Sequence, residues 1–381
     1  MIFIMLYIIS QQRITLNYPS LKTMNNVSFI ISIDNSYEMT TNFFESFLNN
    51  DFVKSSEIII VNDCVDSILT INYLNKIDAK YNNVKLINLE TKSGYGIANN
   101  IGVDTSSGEY LFFINIDVFA KNDCFEKMLN ALICNEADCV QPLLIWPQNG
   151  RIQCAGSFFG PYYKNHLFAG RKPSTIDFSK INNKRLALTS ALYAMKKAVF
   201  YENGKFDEFY YNKLESFELS LKLTLNGKKC ICMPNAIAYH SQGTGRNQYY
   251  FDFYQQEAHF WSNFGNRISP DIVDYYEKQI TFDMKKNIYS AISISQTRGV
   301  RELLAKTNLS ISSFIEINGI NPNKINLYEL LPYSFHNQSL PILFFVENIL
   351  NLSGNKKWFE ERDYKDIVLD TYGNLLYVED I

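Results

Sequence analysis

The sequence has little of what marks several large classes of protein. Its 381 residues include seven cysteines, an odd number, with no Cys-x-x-Cys pair and no histidine at zinc spacing. A disulfide framework or a zinc site is therefore not expected, and we predict free, buried thiols. Lys and Arg number 36 against 39 Asp and Glu, a formal net charge of −3. A chain without excess positive charge lacks the electrostatic footprint of a nucleic-acid-binding protein.

Long hydrophobic runs and an early glycine motif are also missing. Residues 1–9 are apolar but too short to span a bilayer, and they lack the basic start and cleavage site of a signal peptide. No other stretch reaches transmembrane length without charge. Residues 32–40 contain no glycine, which disfavours a dinucleotide-dependent oxidoreductase because that class carries its glycine fingerprint after the first strand. We expect a soluble cytoplasmic protein, with membrane association at the inner face limited to peripheral contacts.

Short apolar runs alternate with segments of helical spacing through the first part of the chain. The strand-like runs are 27–33, 58–61, 84–89 and 110–114, and the helical segments are 39–50, 67–81, 94–103 and 122–135. This alternation predicts an α/β fold with a doubly wound, mostly parallel sheet. Turn formers and aromatic residues fill residues 147–184, which predicts a binding loop or lid. A strand at 187–195, a helix at 213–226 and a strand at 229–238 are predicted to follow.

The pattern changes in the last third of the chain. From about residue 250 the spacing predicts helices over 250–264, 270–307 and 325–352. We therefore predict three parts: a short N-terminal extension (1–23), an α/β domain (24–267) and a mainly helical C-terminal module (268–381).

Polar residues follow the strand-like runs, at the edge where open α/β sheets bind ligands. Asp63 follows the run Glu57–Val61, and we interpret its carboxylate as a contact for a nucleobase and a ribose hydroxyl. Asp66 fits better as the cap of the next helix. Gly94 and Gly96 predict a turn into a helix whose N–H groups face a nucleotide, and Asn100 bonds either that nucleotide or the helix end.

Candidate metal ligands follow two other strands. Asn115 and Asp117 alternate along an extended backbone after Phe112–Ile114, so both side chains point the same way. Carboxylate oxygen suits Mg²⁺ or Mn²⁺ bound to substrate phosphates. His240, between a strand and the glycine-rich segment Gly243–Gly245, is the candidate second ligand. A cation there would stabilise negative charge on a departing diphosphate.

Two glutamates are candidates for a general base. Glu215 and Glu218 lie three residues apart on a predicted helix and so share one face. Either can take a proton from an acceptor hydroxyl. The alternative is an acidic first turn that complements the helix dipole.

Taken together, these segments resemble the inverting glycosyltransferases of family 2, which have a GT-A fold. The resemblance runs from Val27 to about Asn263. The segments that carry it are Val27–Asn35, Val61–Asp63, Gly94–Gly102, Asn115–Asp117, Gly150–Gly156, Phe206–Glu208, Glu215–Lys222 and Met233–His240. Gly150–Gly156 is similar to a loop of rhamnosyltransferase-like members. The resemblance implies nucleotide-sugar binding by Asn35 and Asn115 and acceptor binding by Trp146 and Gln153.

The sequence departs from the family at three places. Ser216 stands where the family has its usual catalytic Asp, Lys222 replaces an Arg, and Cys64-Val65 replaces a Gly-Ser turn. A serine is not a general base by itself, so Glu215 or Glu218 takes that part or the chain is catalytically silent.

The resemblance thus implies a metal-assisted hexosyltransferase of polysaccharide biosynthesis. It would move a sugar from a UDP-, dTDP- or GDP-sugar to a glycan, lipid-linked or protein-linked acceptor. The alternative is a silent nucleotide-sugar- or glycan-binding subunit of a glycosylation complex, which Ser216 motivates. The C-terminal module carries no motif, and acceptor binding, homodimer formation, membrane-surface docking and simple stabilisation stay open for it.

Overall fold

The computed structural model describes residues 26–34, 36–159, 164–170, 172–241, 250–269, 271, 287–294, 310–317, 325–346, 349–363, 366–370 and 375–376. The predicted extension at 1–23 and the predicted nucleotide contact Asn35 lie outside these residues.

Strands and helices alternate in the first part of the chain, as the apolar spacing predicts. The elements up to the first polar edge are β1 (Val27–Ile33), α1 (Tyr37–Phe47), α2 (Asp51–Lys54), β2 (Glu57–Asn62), α3 (Ile68–Lys80), β3 (Val84–Asn88), α4 (Tyr95–Thr105) and β4 (Tyr110–Ile114). They are followed by β5 (Val118–Ala120), α5 (Cys124–Ile133), β6 (Cys139–Ile145), β7 (Ile152–Cys154), β8 (Ser157–Phe159) and β9 (Lys164–His166). The remaining elements are β10 (Leu192–Lys196), α6 (Lys197–Glu202), α7 (Glu215–Leu225), β11 (Cys230–His240) and α8 (Tyr250–Phe264).

Nine of the described strands form one mixed, mostly parallel sheet. Its order is β3-β2-β1-β4-β10-β6-β11-β5, with β7 paired to β6. Strands β3, β2, β1 and β4 are parallel neighbours, and β6 is parallel to β11. Strand β10 is antiparallel to both β4 and β6, so β4, β6 and β11 all run the same way. The predicted α/β fold class is confirmed.

Helices cover both faces of this sheet because its central strands are buried on both sides. Helices α1, α3 and α5 pack on one face in a cluster centred on Phe29, whose ring lies 5.0–6.1 Å from those of Phe47, Phe52, Phe112 and Phe125. Helices α4, α6 and α7 pack on the other face. Each fully buried Phe stabilises the fold by roughly 1.5–3 kcal/mol. The doubly wound layers hold the strand ends at fixed positions along one edge.

The described residues of the C-terminal part contain a second sheet as well as helices, whereas the sequence pattern predicts a mainly helical module. The mainly helical character of the whole part stays a prediction. A second sheet contains β12 (Asn287–Ser293), β13 (Ser310–Glu316), β14 (Ile342–Val346), β15 (Ile367–Asp370) and β16 (Leu375–Leu376), in the order β13-β12-β14-β15-β16. Among the described residues of this part, the helices are α9 (Leu327–Leu330), α10 (Tyr333–His336), α11 (Lys356–Glu361) and a 3-10 helix at Ile349–Asn355. Strand β14 is buried along its whole length, and a continuous apolar run does not separate strand from helix by its periodicity.

The second sheet shares a core with the first domain. Ala291 and Leu343 of the second sheet belong to the same apolar cluster as Leu143, Ile152 and Ala155 of the first. The domain boundary near residue 267 stays a prediction, but the described strands on its two sides are packed together. No helix within the described ranges is both long enough and apolar enough to cross a membrane.

Candidate active site

Asp117 and His240 meet at the carboxyl edge of the main sheet. Strand β5 pairs antiparallel with the end of β11, so that Val118 lies opposite His240. The amide of Ser241 donates to the carbonyl oxygen of Asp117 at 3.0 Å. This register places His240 Nε2 3.2 Å from Asp117 Oδ1. Two residues far apart in the sequence thus form one acid–imidazole pair, in which the imidazole is buried and the carboxylate side chain is 12% exposed.

The other nitrogen of His240 is held by Gln153 of β7. His240 Nδ1 lies 2.6 Å from Gln153 Oε1, and both side chains are buried, 5% and 4% exposed. The sequence resemblance assigns Gln153 to acceptor binding, whereas its side chain contacts the imidazole.

The pair fits a divalent cation. His240 Nε2 is buried and has no hydrogen-bond partner within the described part of the chain. Neighbouring ligands of an octahedral ion, each about 2.1 Å from it, lie about 3 Å apart, which is close to the observed separation of 3.2 Å. No group of three His, Cys, Asp or Glu side chains suited to a metal occurs among the described residues. Two protein ligands leave positions for phosphate oxygens and water.

Further carboxylates surround this edge. Desolvation raises the pKa of Asp34, at the end of β1, above its ordinary value. The ammonium group of Lys92 opposes that rise, and the negative charges of Asp63 and Asp117 add to it. Charge repulsion of this kind is relieved by a bound cation. Asp34 is not among the site residues predicted from the sequence, although it too is a polar residue that follows a strand end.

A cavity of about 120 Å³ adjoins the acid–imidazole pair. Its lining comes from separate segments: Tyr95, Asn115, Gln153, His166, Thr189, Ser190, Ala191, Asn212, Lys213, Glu215, Ser216, Phe217 and His240. We call this cavity the cleft. No motif marks Thr189–Ala191 or Lys213 in the sequence, because only the antiparallel insertion of β10 and the start of α7 bring them to this edge.

The structure separates the two candidate bases. Glu215 lines the cleft beside Ser216, and its Oε2 accepts the backbone N–H of Lys213 at 2.7 Å. Glu218 is not among the cleft-lining residues and lies 2.6 Å from the ammonium group of Lys222. Desolvation raises the pKa of Glu218, and Lys222 lowers it. The position of Glu215 suits proton transfer in the cleft, and that of Glu218 suits an ion pair on α7.

Asp63 holds the turn that begins α4. Its two carboxylate oxygens accept the backbone N–H groups of Ser93 at 2.6 Å and Gly94 at 2.9 Å. Gly94 has a φ of 84°, and a Cβ there would collide with the carbonyl oxygen of Tyr211. The turn therefore needs glycine. Contact of Asp63 and of Gly94 with a nucleotide stays a prediction.

The other predicted contacts have partners within the chain. Asn100 is 4% exposed and joins α4 to the loop after α6, donating to the carbonyl oxygen of Phe206 at 3.0 Å. Gly96 lies against the same loop. Trp146 closes a turn, with its N–H donating to the carbonyl oxygen of Arg151 at 2.8 Å. Asn115 lines the cleft. The roles of these residues in ligand binding stay predictions.

The fold and the candidate site define a class of protein: a doubly wound α/β domain with an acid–imidazole pair, suited to a cation, at the carboxyl edge of its sheet. Residues 28–196 match the family model described as Glycosyl transferase family 2. This match covers less than half of the chain and agrees with the resemblance that the sequence segments carry.

Two curated relatives and one solved structure show the range of similarity. An uncharacterised glycosyltransferase of Haemophilus influenzae is 31% identical over 109 residues, 29% of this chain and 43% of that protein. The O-antigen biosynthesis protein RfbC of Myxococcus xanthus is 24% identical over 198 residues, 49% of this chain and 15% of that protein. The mannosyltransferase PcManGT of Pyrobaculum calidifontis, in complex with GDP-Man and Mn²⁺, is 12% identical with a TM-score of 0.49, covering 72% of this chain and 74% of that one.

These similarities are partial. The chain spans between 15% and 43% of the length of the curated relatives that it matches. The likeness to the mannosyltransferase is too distant to transfer an activity. What the whole protein binds and transfers is therefore inferred from its own residues.

Proposed function

We propose that this protein transfers a sugar from a nucleotide-sugar donor to a hydroxyl group of a saccharide acceptor, with inversion at the anomeric carbon. The observation that carries the proposal is the convergence of Asp117, His240 and Glu215 at one end of the sheet. These residues come from β4–β5, β11 and α7, and the last two side chains line one cleft. The family 2 match over residues 28–196 gives the reaction class.

Asp117 and His240 would hold a divalent cation, Mn²⁺ or Mg²⁺, each through one ligand atom. When bound there, it supplies positive charge to the diphosphate that leaves the sugar. An imidazole ligand suits Mn²⁺ better than Mg²⁺. Asn115 follows the same strand end, where it can orient the donor.

Glu215 is the proposed general base. Its carboxylate removes the proton from the acceptor hydroxyl as that oxygen forms a bond to the anomeric carbon. The bond from that carbon to the diphosphate oxygen breaks on the opposite side, and its electron pair leaves with the diphosphate. A single displacement of this kind inverts the anomeric centre. Ser216 lies next to Glu215 in the cleft. It does not replace Glu215, because a serine hydroxyl by itself is not a general base near neutral pH.

The remaining assignments are finer. Asn35, Asp63, Gly94, Gly96 and Asn100 bind or shape the nucleoside side of the site. UDP-, dTDP- and GDP-sugars are the candidate donors. Trp146 and the cleft take a glycan, lipid-linked or protein-linked acceptor in cytoplasmic polysaccharide biosynthesis. The C-terminal part forms a homodimer.

A second candidate function is nucleotide-sugar binding without turnover. The observation that favours it is Ser216, since the cleft holds a hydroxyl where the family has a catalytic carboxylate. In that case the protein would serve a glycosylation complex as a binding subunit.

A donor panel with Mn²⁺ tests the proposal. The wild-type protein is incubated with UDP-, dTDP- and GDP-sugars, and release of the nucleoside diphosphate is measured with and without saccharide acceptors. Gln in place of Glu215 removes the carboxylate that acts as general base and keeps the size of the side chain. We expect turnover to fall 10²–10⁴-fold. The matched control is Glu218→Gln on the same helix, where we expect turnover to remain within about tenfold of wild type.

The outcomes separate the two functions. Turnover that depends on Glu215 supports transfer. Donor binding by calorimetry without any release, unaffected by E215Q, would leave only the binding function. A larger loss in E218Q than in E215Q would overturn the assignment of the base.

A further inference from the structure

We propose that Gln153 is a positioning residue that fixes the tautomer of His240. This inference rests on the proposed function to the extent that His240 is taken as a cation ligand. The resemblance to family 2 assigns Gln153 to the acceptor, and nothing in the acid–imidazole pair itself explains which nitrogen of His240 carries the proton.

The hydrogen bond between the two side chains decides the tautomer. Gln153 Oε1 is a carbonyl oxygen and only accepts, and it lies 2.6 Å from His240 Nδ1. With the Gln153 amide oriented in this way, Nδ1 is the nitrogen that carries the proton and donates. In neutral imidazole the other nitrogen then carries a lone pair. Nε2 thus faces Asp117 Oδ1 at 3.2 Å as a second acceptor.

Two acceptors that face each other repel unless a positive centre lies between them. The alternative tautomer would remove that repulsion, because Nε2 would then carry a proton instead of a lone pair beside the carboxylate. It would also block the position of a cation, since a metal ligand needs the lone pair of a neutral imidazole. Gln153 works against that alternative. The absence of a hydrogen-bond partner at Nε2 within the described residues is what a site prepared for a cation requires.

Strand β7 holds Gln153 rigidly in this position. Ile152 is fully buried and Ala155, just past the strand, is too. Both belong to the cluster that includes Ala291 and Leu343 of the second sheet. The apolar contacts on this side leave the polar side chain of Gln153 to face His240. The second sheet therefore contributes to the apolar cluster that includes the neighbours of Gln153 in the sequence.

The NH₂ group of Gln153 indicates that the cleft binds a ligand with a hydrogen-bond acceptor. Its Nε2 atom is buried without a hydrogen-bond partner in the described part of the chain, and Gln153 lines the cleft. A buried N–H donor without a partner is unfavourable, because it has lost its hydrogen bonds to water. An oxygen atom of a bound donor or acceptor in the cleft would satisfy it.

The first test needs no metal and no turnover. Protein labelled with ¹⁵N at histidine is examined by two-bond ¹H–¹⁵N correlation NMR without added metal, and the His240 signals are assigned with His240→Gln. The proton is expected on Nδ1 in the wild type. A proton found on Nε2 in the wild type overturns the proposal.

The second test changes the acceptor. Met in place of Gln153 keeps the volume and removes the oxygen, and Glu in its place keeps an oxygen that faces Nδ1. In Q153M the proton is expected to move to Nε2, and Mn²⁺ affinity, measured by electron paramagnetic resonance titration, is expected to fall 10–100-fold. Q153E is expected to keep the wild-type tautomer. The matched control is Gln256→Met on α8, a buried glutamine outside the cleft, for which no change is expected.

Thermal unfolding of each variant identifies loss of folding, and the wild-type NMR result decides the matter if Q153M does not fold. An unchanged tautomer in folded Q153M would also overturn the proposal. An Nδ1 proton that is lost in Q153M supports it even if no donor is ever turned over, in which case the transfer activity fails alone. Turnover with an Nε2 proton in the wild type would leave the transferase and remove the role of Gln153.

Discussion

The position of the Asp63 carboxylate supports two different roles, contact with a nucleoside and stabilisation of the turn before α4. A substitution of Asp63 distinguishes them. A contact with the nucleoside predicts loss of nucleotide affinity and no loss of stability when it is changed. If the carboxylate instead acts as a latch, holding the turn before α4 in place, its substitution lowers both nucleotide affinity and stability. The structure shows the contacts of a latch: Asp63 is 3% exposed and accepts two backbone N–H groups.

The magnitude follows from these two hydrogen bonds. Asn in place of Asp63 keeps one acceptor oxygen and turns the other into an NH₂ group that faces a backbone donor. One charge-assisted bond, about 1.5–3 kcal/mol, is lost and the other becomes a neutral bond of about 0.5–1.5 kcal/mol. We expect D63N to lower the free energy of unfolding by roughly 2–4 kcal/mol.

Urea unfolding measures this change by linear extrapolation. The matched control is Asp66→Asn, an exposed carboxylate on the same loop, for which we expect a change within about 0.5 kcal/mol. UDP affinity of both variants is measured by calorimetry under folding conditions. A D63N protein as stable as the wild type, but unable to bind UDP, would refute the latch and restore the nucleoside contact.

Two further predictions concern parts of the fold away from the cleft. Hydrogen bonds from Ser28 and Ser107 bring the pKa of Glu57 below its ordinary value although desolvation raises it. A carboxylate whose pKa is lower in the folded state than in the unfolded state, about 4.3, stabilises the fold above that value, and the stabilisation is lost as the pH falls through the folded-state pKa. In urea titrations, E57Q should therefore lose less unfolding free energy than the wild type between pH 5 and pH 3. An unchanged pH dependence would contradict this role of Glu57. Arg362 and Asp366 form a fully buried pair with Nε–Oδ2 at 2.6 Å, so R362M should destabilise the C-terminal sheet by about 3–5 kcal/mol. The double variant R362M/D366L should recover part of that loss, and an R362M protein of wild-type stability would show that the pair is not needed.

The location of the site, but not all of its contacts, could be predicted from the sequence. Strand-end polar residues indicated Asp63, Asn115, Asp117 and His240, because alternation in strands and helices fixes where an α/β sheet binds ligands. The same rule applied to Asp34 would have added it. The contacts of Asp63 with Ser93 and Gly94 had no local signal, because a carboxylate that binds a ligand and one that binds a turn look alike in sequence.

The C-terminal part shows where periodicity fails. The run Ile342–Val346 is buried on both faces of a sheet, and such a run has neither the alternation of a half-buried strand nor the spacing of an amphipathic helix. Its strand partners lie far along the chain, at β12 and β15. No local pattern records that pairing.

By itself the sequence determined the α/β alternation, the burial of the central strands and the chemistry available at the strand ends, because these depend on spacing within short windows. The tertiary structure alone decided which groups meet. The antiparallel register of β5 on β11 places Asp117 beside His240, β7 brings Gln153 to the imidazole, and the start of α7 turns Glu215, not Glu218, into the cleft. Each of these contacts joins residues from separate elements, and distances between elements are set by packing, which no local stretch of residues encodes.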